Sequence, residues 1–378
     1  MNSRISPIVS HLSLATDCGS RDGCVTAAAY ADTEAEYKCV RSRVGIGDLN
    51  HYAKIHVAGD TALDLLNYVI LTDVARLPIN QLQATVLLND DGSPCAEAFV
   101  ANYGDHFLVL GEGIAAATLF ARLAGLADSR FVGAIVTDQT EALGLLGLDG
   151  PFSWELLKAF MGVSVIGTRY LEILADQALD GVPFTLYRAG KTGEYGYMLL
   201  TSADKSAELW DKLCELGKRF EMLPLGYRVI DLCKLENRFM SQHHEGSQVG
   251  NVLELNTRVL VSRDKGDYAG RAQIEGSIDV GLQRRVIGLT FAENMKAGAN
   301  ALQVSDAVSC DGVQIGKLAS LGYSHTLQRW IALGLVDTAY SYVGLDYAVA
   351  EHRARTVSAP FIFNRSMQIR PQEDSYFN

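Results

Sequence analysis

One segment of the sequence, residues 190–197, reads GKTGEYGY and holds a single carboxylate, that of Glu194. Three glycines in seven residues permit a tight backbone that can hold this carboxylate rigidly and direct it at a ligand. Its two oxygens match a ligand edge with two adjacent N–H donors, such as that of an aminopyrimidine or pterin ring. Tyr187, near the end of the strand-like run before the segment, is a second candidate binding residue. A hairpin turn with a solvated glutamate is the alternative, and spacing alone leaves both open.

The elements around this segment are of mixed type. Residues 53–57, AKIHV, alternate in polarity like a half-buried strand, and residues 61–69 repeat apolar side chains at helical spacing. Further strand-like runs lie at 84–88, 96–103 and 106–110, and helical spacing returns at 154–161, 206–219 and 224–237. Pro224 suits a first helical turn. These patterns predict an α+β fold rather than regular βαβ winding.

The chain changes character after residue 283, where short β-like runs are separated by turns such as Asp311-Gly312. We expect the domain boundary here, with residues 1–283 forming the mixed region and residues 284–378 a separate all-β domain. The stretch 370–375, RPQEDS, is predicted to be frayed.

Composition excludes several classes of function. Lys plus Arg number 33 and Asp plus Glu 44, so the formal net charge of −11 argues against nucleic acid or an anionic membrane as a partner. The sequence has no apolar run of membrane-spanning length and no signal-peptide core at its start, which favours the cytoplasm. Its seven cysteines show no zinc spacing, so we expect free thiols and no metal site.

Several stretches together resemble the glycine-cleavage-system T-protein family, the aminomethyltransferases, over about residues 25–350. The segment with Glu194 is similar to the family's glycine-tyrosine-threonine-glycine-glutamate-aspartate-glycine motif. Other stretches resemble family motifs in the same order along the chain: VGIGDLNH at 44–51, GDTA at 59–62, LTDV at 71–74, LNDDG at 88–92, GLDGP at 147–151, PLGYR at 224–228, DLCKLE at 231–236, DKGDYAGR at 264–271, QIGKLAS at 314–320 and IALGLV at 331–336.

The resemblance implies a three-domain disc, in which two interleaved α+β domains and a C-terminal β-barrel surround a central hole for tetrahydrofolate. It implies that Glu194 contacts the pterin. Lys234 stands where the family has an arginine, and its charge would face a carboxylate of the folate tail, although lysine lacks the bidentate fork. A solvated helix residue is the alternative for Lys234.

The departures from the family pattern concern its ligand contacts. Where the family has an aspartate pair tied to the pterin and to catalysis, this chain has Pro94-Cys95-Ala96-Glu97, so only Glu97 can supply a carboxylate there. Glu97 is therefore a candidate for both catalysis and folate binding, with an exposed strand residue as the alternative. Ala84 replaces an expected tyrosine, and Gly111 or Glu112 an expected asparagine.

These departures favour a one-carbon donor other than that of glycine cleavage. Folate-dependent demethylases resemble this family and lack part of its aspartate pattern; the N5 amine of tetrahydrofolate attacks a methyl group held in line. An ether substrate would also need an acid for the leaving oxygen, for which histidine is the usual choice. His51 is the best placed candidate, ahead of His243 and His244.

The sequence thus predicts a tetrahydrofolate-dependent enzyme that takes a methyl or aminomethyl group from a small-molecule donor. Any oxidation of the donor would require a partner protein, which could also carry the donor. Two alternatives stay open. A folate-binding iron–sulfur assembly factor of the same family has a lysine-glycine-cysteine-aromatic motif, but residues 265–268 here read KGDY. A member acting on a small metabolite without folate is the other.

Overall fold

The computed structural model describes residues 4–293 and 302–378. No helix among these residues has the length and apolar character needed to cross a membrane. The strands, in chain order, are β1 (Arg4–Ile5), β2 (Asp17–Arg21), β3 (Cys24–Ala29), β4 (Gly45–Asp48), β5 (Ala53–Gly59), β6 (Gln81–Leu88), β7 (Pro94–Asn102), β8 (His106–Glu112), β9 (Ala134–Asp138), β10 (Leu143–Asp149), β11 (Ile173–Leu179), β12 (Val182–Tyr187), β13 (Gly196–Ser202), β14 (Leu223–Leu225), β15 (Arg284–Phe291), β16 (Ala307–Cys310), β17 (Val313–Ser324), β18 (Arg329–Asp337), β19 (Asp346–Val349) and β20 (His352–Val357). The α-helices are α1 (Val9–Leu12), α2 (Thr33–Ser42), α3 (Ala62–Val69), α4 (Ala116–Ser129), α5 (Ser153–Met161), α6 (Ser206–Gly217), α7 (Tyr227–Asn237) and α8 (Arg271–Val280).

Two large sheets form the mixed region. One has the order β6-β7-β8-β5-β9, and the other has the order β11-β12-β13-β10-β4-β14. Both faces of β7 are buried, because Ala96, Ala98 and Val100 pack in the core under α3 and α4, while Phe99 and Ala101 pack in a core shared with the second sheet. Side chains alternate along a strand, so Glu97 has the parity of Phe99 and belongs to the face toward the second sheet.

The start of α7 differs from the sequence prediction. Pro224 does not open the helix but lies in β14, which pairs in parallel with β4 and is the edge strand of its sheet. An edge strand tolerates proline because one row of its N–H groups needs no partner. The helix begins at Tyr227.

The last part of the chain forms a closed six-stranded barrel with the order β15-β18-β17-β16-β19-β20. The predicted α+β class with a C-terminal β-barrel is therefore confirmed. Helix α7 packs against barrel strand β17, where the Ser324 hydroxyl donates to Glu236 at 2.5 Å. This contact ties the barrel to the helix that carries Lys234.

The chain end after the barrel is not frayed, contrary to the prediction for 370–375. The Ser375 hydroxyl and the Tyr376 amide donate to Glu155 of α5 at 2.6 and 2.7 Å, and the Tyr376 ring lies against Phe220. The polar composition of the stretch does not indicate this contact, which depends on the hydrogen bonds of Ser375 and Tyr376 to Glu155 and on the ring contact between Tyr376 and Phe220.

Candidate functional site

A pair of carboxylates forms the centre of the candidate site. Glu97 on β7 lies directly opposite Glu112 on β8 in the antiparallel register, and both side chains are buried. Like charges at opposed strand positions repel each other. Their burial therefore requires cations nearby, since an isolated charge is costly to remove from water.

Two lysines supply that charge. Lys191 lies in the loop between β12 and β13, and its Nζ is 2.5 Å from Glu97 Oε2 and 2.8 Å from Glu112 Oε2. Lys234 on α7 has its Nζ 2.7 Å from Glu97 Oε1 and 3.2 Å from Glu112 Oε2. Its side chain is only 1% exposed, so Lys234 is not a solvated helix residue. Each ammonium bridges both carboxylates. We call these four residues, Glu97, Glu112, Lys191 and Lys234, the carboxylate–lysine cluster.

The neighbouring charges favour the ionised forms of Glu112 and Lys234. Burial alone would raise the pKa of the Glu112 carboxyl, but Lys191 and Lys234 hold it well below its usual range. Burial would lower the pKa of Lys234, but the two glutamates raise it above the usual value. The Tyr52 hydroxyl donates to Glu112 Oε2 at 2.7 Å, and burial followed by the charge of Glu112 keeps its pKa well above normal. Glu112 and Lys234 are therefore ionised and Tyr52 is neutral at physiological pH.

A second group of charges extends the cluster toward α7 and the N-terminal strands. Arg21 forms a bidentate pair with Asp231, at 2.7 Å for both bonds, and its Nη2 is 3.5 Å from Glu112 Oε1. His243 bridges Arg21 and Asp22, with 2.9 Å to each. His244 Nε2 is 3.2 Å from Asp231 Oδ2, an oxygen that Arg21 also contacts. Two of the three candidate histidines are thus held by fixed charged partners.

His51 lies beside the cluster but makes no hydrogen bond. Its Nε2 is 3.6 Å from Glu112 Oε1, and neither ring nitrogen has a hydrogen-bond partner among the described residues. Burial lowers the pKa of His51 below its ordinary value, although Glu112 opposes the shift. The imidazole is therefore neutral near pH 7, and it could accept a proton more readily than donate one.

Among the described residues, Glu97, Glu112 and His243 lie close enough together to hold a metal ion. The ammonium groups of Lys191 and Lys234 already occupy oxygens of both glutamates. A divalent cation would have to displace them, so the donor set suits the lysines better than a metal.

The structure places Glu194 in a different network. Its Oε1 accepts from Arg41 at 3.2 Å, and its Oε2 accepts from the Ser366 amide and hydroxyl at 2.8 and 2.6 Å. Arg41 continues to Glu236 at 2.5 Å. The loop geometry needs its glycines, because Gly193 has φ +83° and a Cβ there would lie 2.4 Å from Asn237. The carboxylate is rigidly held, as the glycine pattern predicted, but its oxygens are engaged by the protein itself.

Tyr187 also lies away from the carboxylate–lysine cluster. It is buried in the core between the two sheets, and its hydroxyl is 2.5 Å from that of Tyr103. Burial raises its pKa well above the usual value. Among the predicted site residues, the structure therefore brings together Glu97, Lys234 and His51, and it leaves Glu194 and Tyr187 outside the group.

A cleft of about 320 Å³ opens beside the cluster. Glu97 and Lys191 line it, and Arg238 is the other charged residue in its lining. The walls are mainly apolar and include Phe99, Phe239, Met240, Val259 and Leu260. Ala84, which stands where a tyrosine was expected, also lines the cleft. A cleft of this size with mainly apolar walls and a few polar groups is typical of a small-molecule site.

Sequence reasoning missed Glu112 as a carboxylate of the site, and it missed Lys191, Arg21 and Asp231. The signal for Lys191 was present, because it occupies the tyrosine position of the glycine-rich motif around Glu194. Arg21 and Asp231 are 210 residues apart, and nothing in their local sequence joins them.

The chain combines an antiparallel sheet, a mixed sheet and a C-terminal barrel, with the cleft lined in part by strands of the antiparallel sheet. Residues 17–265 match the family model of the GCVT N-terminal domain, and residues 284–362 match that of the glycine cleavage T-protein C-terminal barrel domain. The chain belongs to the glycine cleavage T-protein family.

Relatives named aminomethyltransferase align over most of their length. One from Symbiobacterium thermophilum is 27% identical over 346 residues, covering 88% of this chain and 90% of the relative. One from Halothermothrix orenii is 27% identical over 338 residues, covering 88% and 92%. The crystal structure of the glycine cleavage system aminomethyltransferase T from Bartonella henselae superposes with a TM-score of 0.80 at 19% identity, covering 96% of this chain and 99% of the other. That superposition supports the fold.

Proposed function

We propose that this chain binds tetrahydrofolate in the cleft beside the carboxylate–lysine cluster and transfers a methyl or aminomethyl group to it from a small donor. The observation that carries the proposal is the Glu97 carboxylate in the lining of a mainly apolar cleft. The family includes aminomethyltransferases, and the T-protein fold typically binds folate. When bound, tetrahydrofolate supplies the N5 amine that accepts the one-carbon unit.

The residues of the cleft fit a pterin ring. Phe99, Phe239 and Met240 offer apolar surface for a flat ring and exclude water from it. Glu97 offers acceptor oxygens to adjacent N–H donors. One of those oxygens now accepts from Lys191, which also binds Glu112. A ligand can therefore take over the bond to Glu97 while Lys191 stays paired.

Acid and base roles fall on the neighbours of Glu112. The neutral His51 ring can hold a proton released during transfer, and the buried Glu112 carboxylate 3.6 Å away would stabilise the resulting imidazolium. The function of the other residues is positional, because holding two reactants in line supplies most of the acceleration in such a transfer.

Calorimetric titration with tetrahydrofolate under anaerobic conditions tests the proposal. We expect micromolar or tighter binding by the wild type, and at least about tenfold weaker binding by Glu97→Gln, because a lost charged hydrogen bond costs roughly 1.5–3 kcal/mol. Glu275→Gln is the matched control, since Glu275 pairs with Arg271 outside the cleft and should bind unchanged. No binding by the wild type would refute folate dependence and favour the folate-independent alternative.

The same titration separates the two candidate pterin contacts. If Glu194→Gln loses affinity while Glu97→Gln keeps it, the pterin is recognised by the glycine-rich loop and not by the cluster. Single-turnover assays with methylated and aminomethylated donors then distinguish an enzyme from a folate-binding assembly factor, because a scaffold would leave the donors unconsumed.

A further inference from the structure

A second cavity, of about 340 Å³, lies between the start of the barrel and the segment after α7. We call it the arginine cavity, and the polar residues in its lining include Arg238, Asn256, Arg285, Ser341, Thr356 and Ser358. No aspartate or glutamate lines it. In a chain with a formal net charge of −11, a cavity with two arginines and no carboxylate is attractive to anions.

Arg285 has no acidic partner in the part of the chain that the structure describes. Its Nε is buried and makes no hydrogen bond among the described residues, and its guanidinium forms no ion pair within that part of the chain. A guanidinium carries five donors in a planar fork. Leaving a buried donor unpaired costs free energy, which a ligand with acceptor oxygens would recover.

Arg238 is held in place by the backbone. It adopts a left-handed conformation with φ 55°, and its Nη2 donates to the Val286 carbonyl at 2.9 Å. Asn256, also left-handed with φ 63°, donates to the same carbonyl at 2.8 Å. Burial lowers the pKa of Arg238 below its ordinary value, and the nearby Glu245 only partly opposes this. An anion in the cavity would restore that lost stabilisation of the charge.

The arginine cavity shares a wall with the cleft. Arg238, Leu255 and Asn256 line both spaces. Arg285 and Asn256 also line a smaller cavity of about 190 Å³ together with Arg258. A negatively charged extension of a molecule in the cleft could therefore reach these arginines, and a free anion could enter the cavity separately.

We propose that the arginine cavity binds a carboxylate anion through Arg238 and Arg285. Carboxylates match the planar guanidinium fork, which allows paired charged hydrogen bonds. The anion is either a free polycarboxylate or the carboxylate-bearing tail of the ligand in the cleft, and only the second source rests on the proposed function.

Calorimetry with two probes at low ionic strength, in a buffer without phosphate or carboxylate, tests the proposal. Citrate is the probe for a free anion, and tetrahydrofolate with one or three glutamates is the probe for a tail. If the anion is free, Arg285→Gln should weaken the affinity for citrate by about tenfold. If the anion is the tail of the ligand, the same change should remove the higher affinity for tetrahydrofolate with three glutamates over that with one. Arg284→Gln is the matched control, because Arg284 precedes it on the same strand but pairs with Glu254 and does not line the cavity.

The outcomes are separable. Tetrahydrofolate with one glutamate that fails to bind refutes the proposed function, and the citrate arm then decides the anion site alone. If citrate does not bind and the two folates bind equally, the arginine cavity is only a solvated pair of arginines and the proposal is overturned. Arg285→Lys keeps the charge without the fork and should give an intermediate loss, which guards against a folding defect in the glutamine variant.

Discussion

Replacing Lys234 with methionine tests whether the carboxylate–lysine cluster is a balanced charge group. The Lys234 Nζ contacts Glu97 at 2.7 Å and Glu112 at 3.2 Å, in a setting where it is almost inaccessible to water. Each attraction is about 5 kcal/mol at 3 Å and an effective dielectric constant of 20, but the lysine also loses its hydration. Breaking one partner of a buried pair typically costs about 3–5 kcal/mol, because a charge is left uncompensated.

Thermal unfolding followed by circular dichroism at pH 7.5 measures this effect. A loss of about 3–5 kcal/mol corresponds to a fall in melting temperature of roughly 4–6 °C, because the unfolding entropy is about 2.1 cal/mol/K per residue and the chain has 378 residues. Lys38→Met is the matched control, since Lys38 forms a similar bond of 2.6 Å with Glu34 but is 67% exposed. Exposed pairs of this kind contribute about 0.5 kcal/mol or less, so the control should shift by about 1 °C.

The pH dependence makes the test specific. Glu112 has a depressed pKa in the folded protein, so its ionised form stabilises the fold above its ordinary pKa, and this contribution is lost as the pH falls through the folded value. Without Lys234, Glu97 and Glu112 repel each other, and protonation relieves the repulsion. The difference in melting temperature between wild type and Lys234→Met should therefore become smaller as the pH is lowered from 7.5 to about 4.5. A loss in melting temperature no larger than that of Lys38→Met, or a loss that does not change with pH, would refute the reasoning.

Two further predictions concern the surrounding networks. Glu194→Gln should lower stability by about 2–3 kcal/mol, because the new amide donors face the donors of Arg41 and Ser366; an unchanged melting temperature would contradict the network. Burial, helped by Arg4, lowers the pKa of Lys54 to about 7, so the unfolded chain binds more protons between pH 7 and about 10 and stability rises with pH over that window. Lys54→Met should gain less stability than wild type from pH 7 to 9.5, as measured by thermal unfolding, and an equal gain would count against a lowered pKa of the buried Lys54.

The sequence predicted the fold well where periodicity was strong. The alternation at 53–57 and the helical spacing at 61–69 correspond to β5 and α3. The prediction failed at Pro224, where a residue compatible with a first helical turn is equally compatible with an edge strand. It failed again at 370–375, since the anchor on Glu155 depends on a tertiary contact with no local signature.

The pairing of Glu97 with Glu112 could be predicted in part from the sequence. The short connection between β7 and β8 pairs Asn102 with Phe107, and counting five residues away from it along each strand brings Glu97 opposite Glu112. That register fixes the like-charge pair, and burial then demands cations. The identity of those cations was out of reach, because Lys191 and Lys234 come from a loop and a helix about 80 to 140 residues away in sequence.

The two lysines make the proposed ligand site different from a bare carboxylate. An N–H donor approaching Glu97 must compete with Lys191, whose bond to Glu97 is 2.5 Å long. The donor can replace Lys191 at Glu97 because Lys191 remains bonded to Glu112 at 2.8 Å and Lys234 remains bonded to the other oxygen of Glu97. The cluster can therefore exchange one bond for another without leaving a buried charge unpaired. A ligand that offers adjacent donors gains from this exchange, whereas one that offers only acceptors would have to bind Lys191 and leave the glutamates with less compensation.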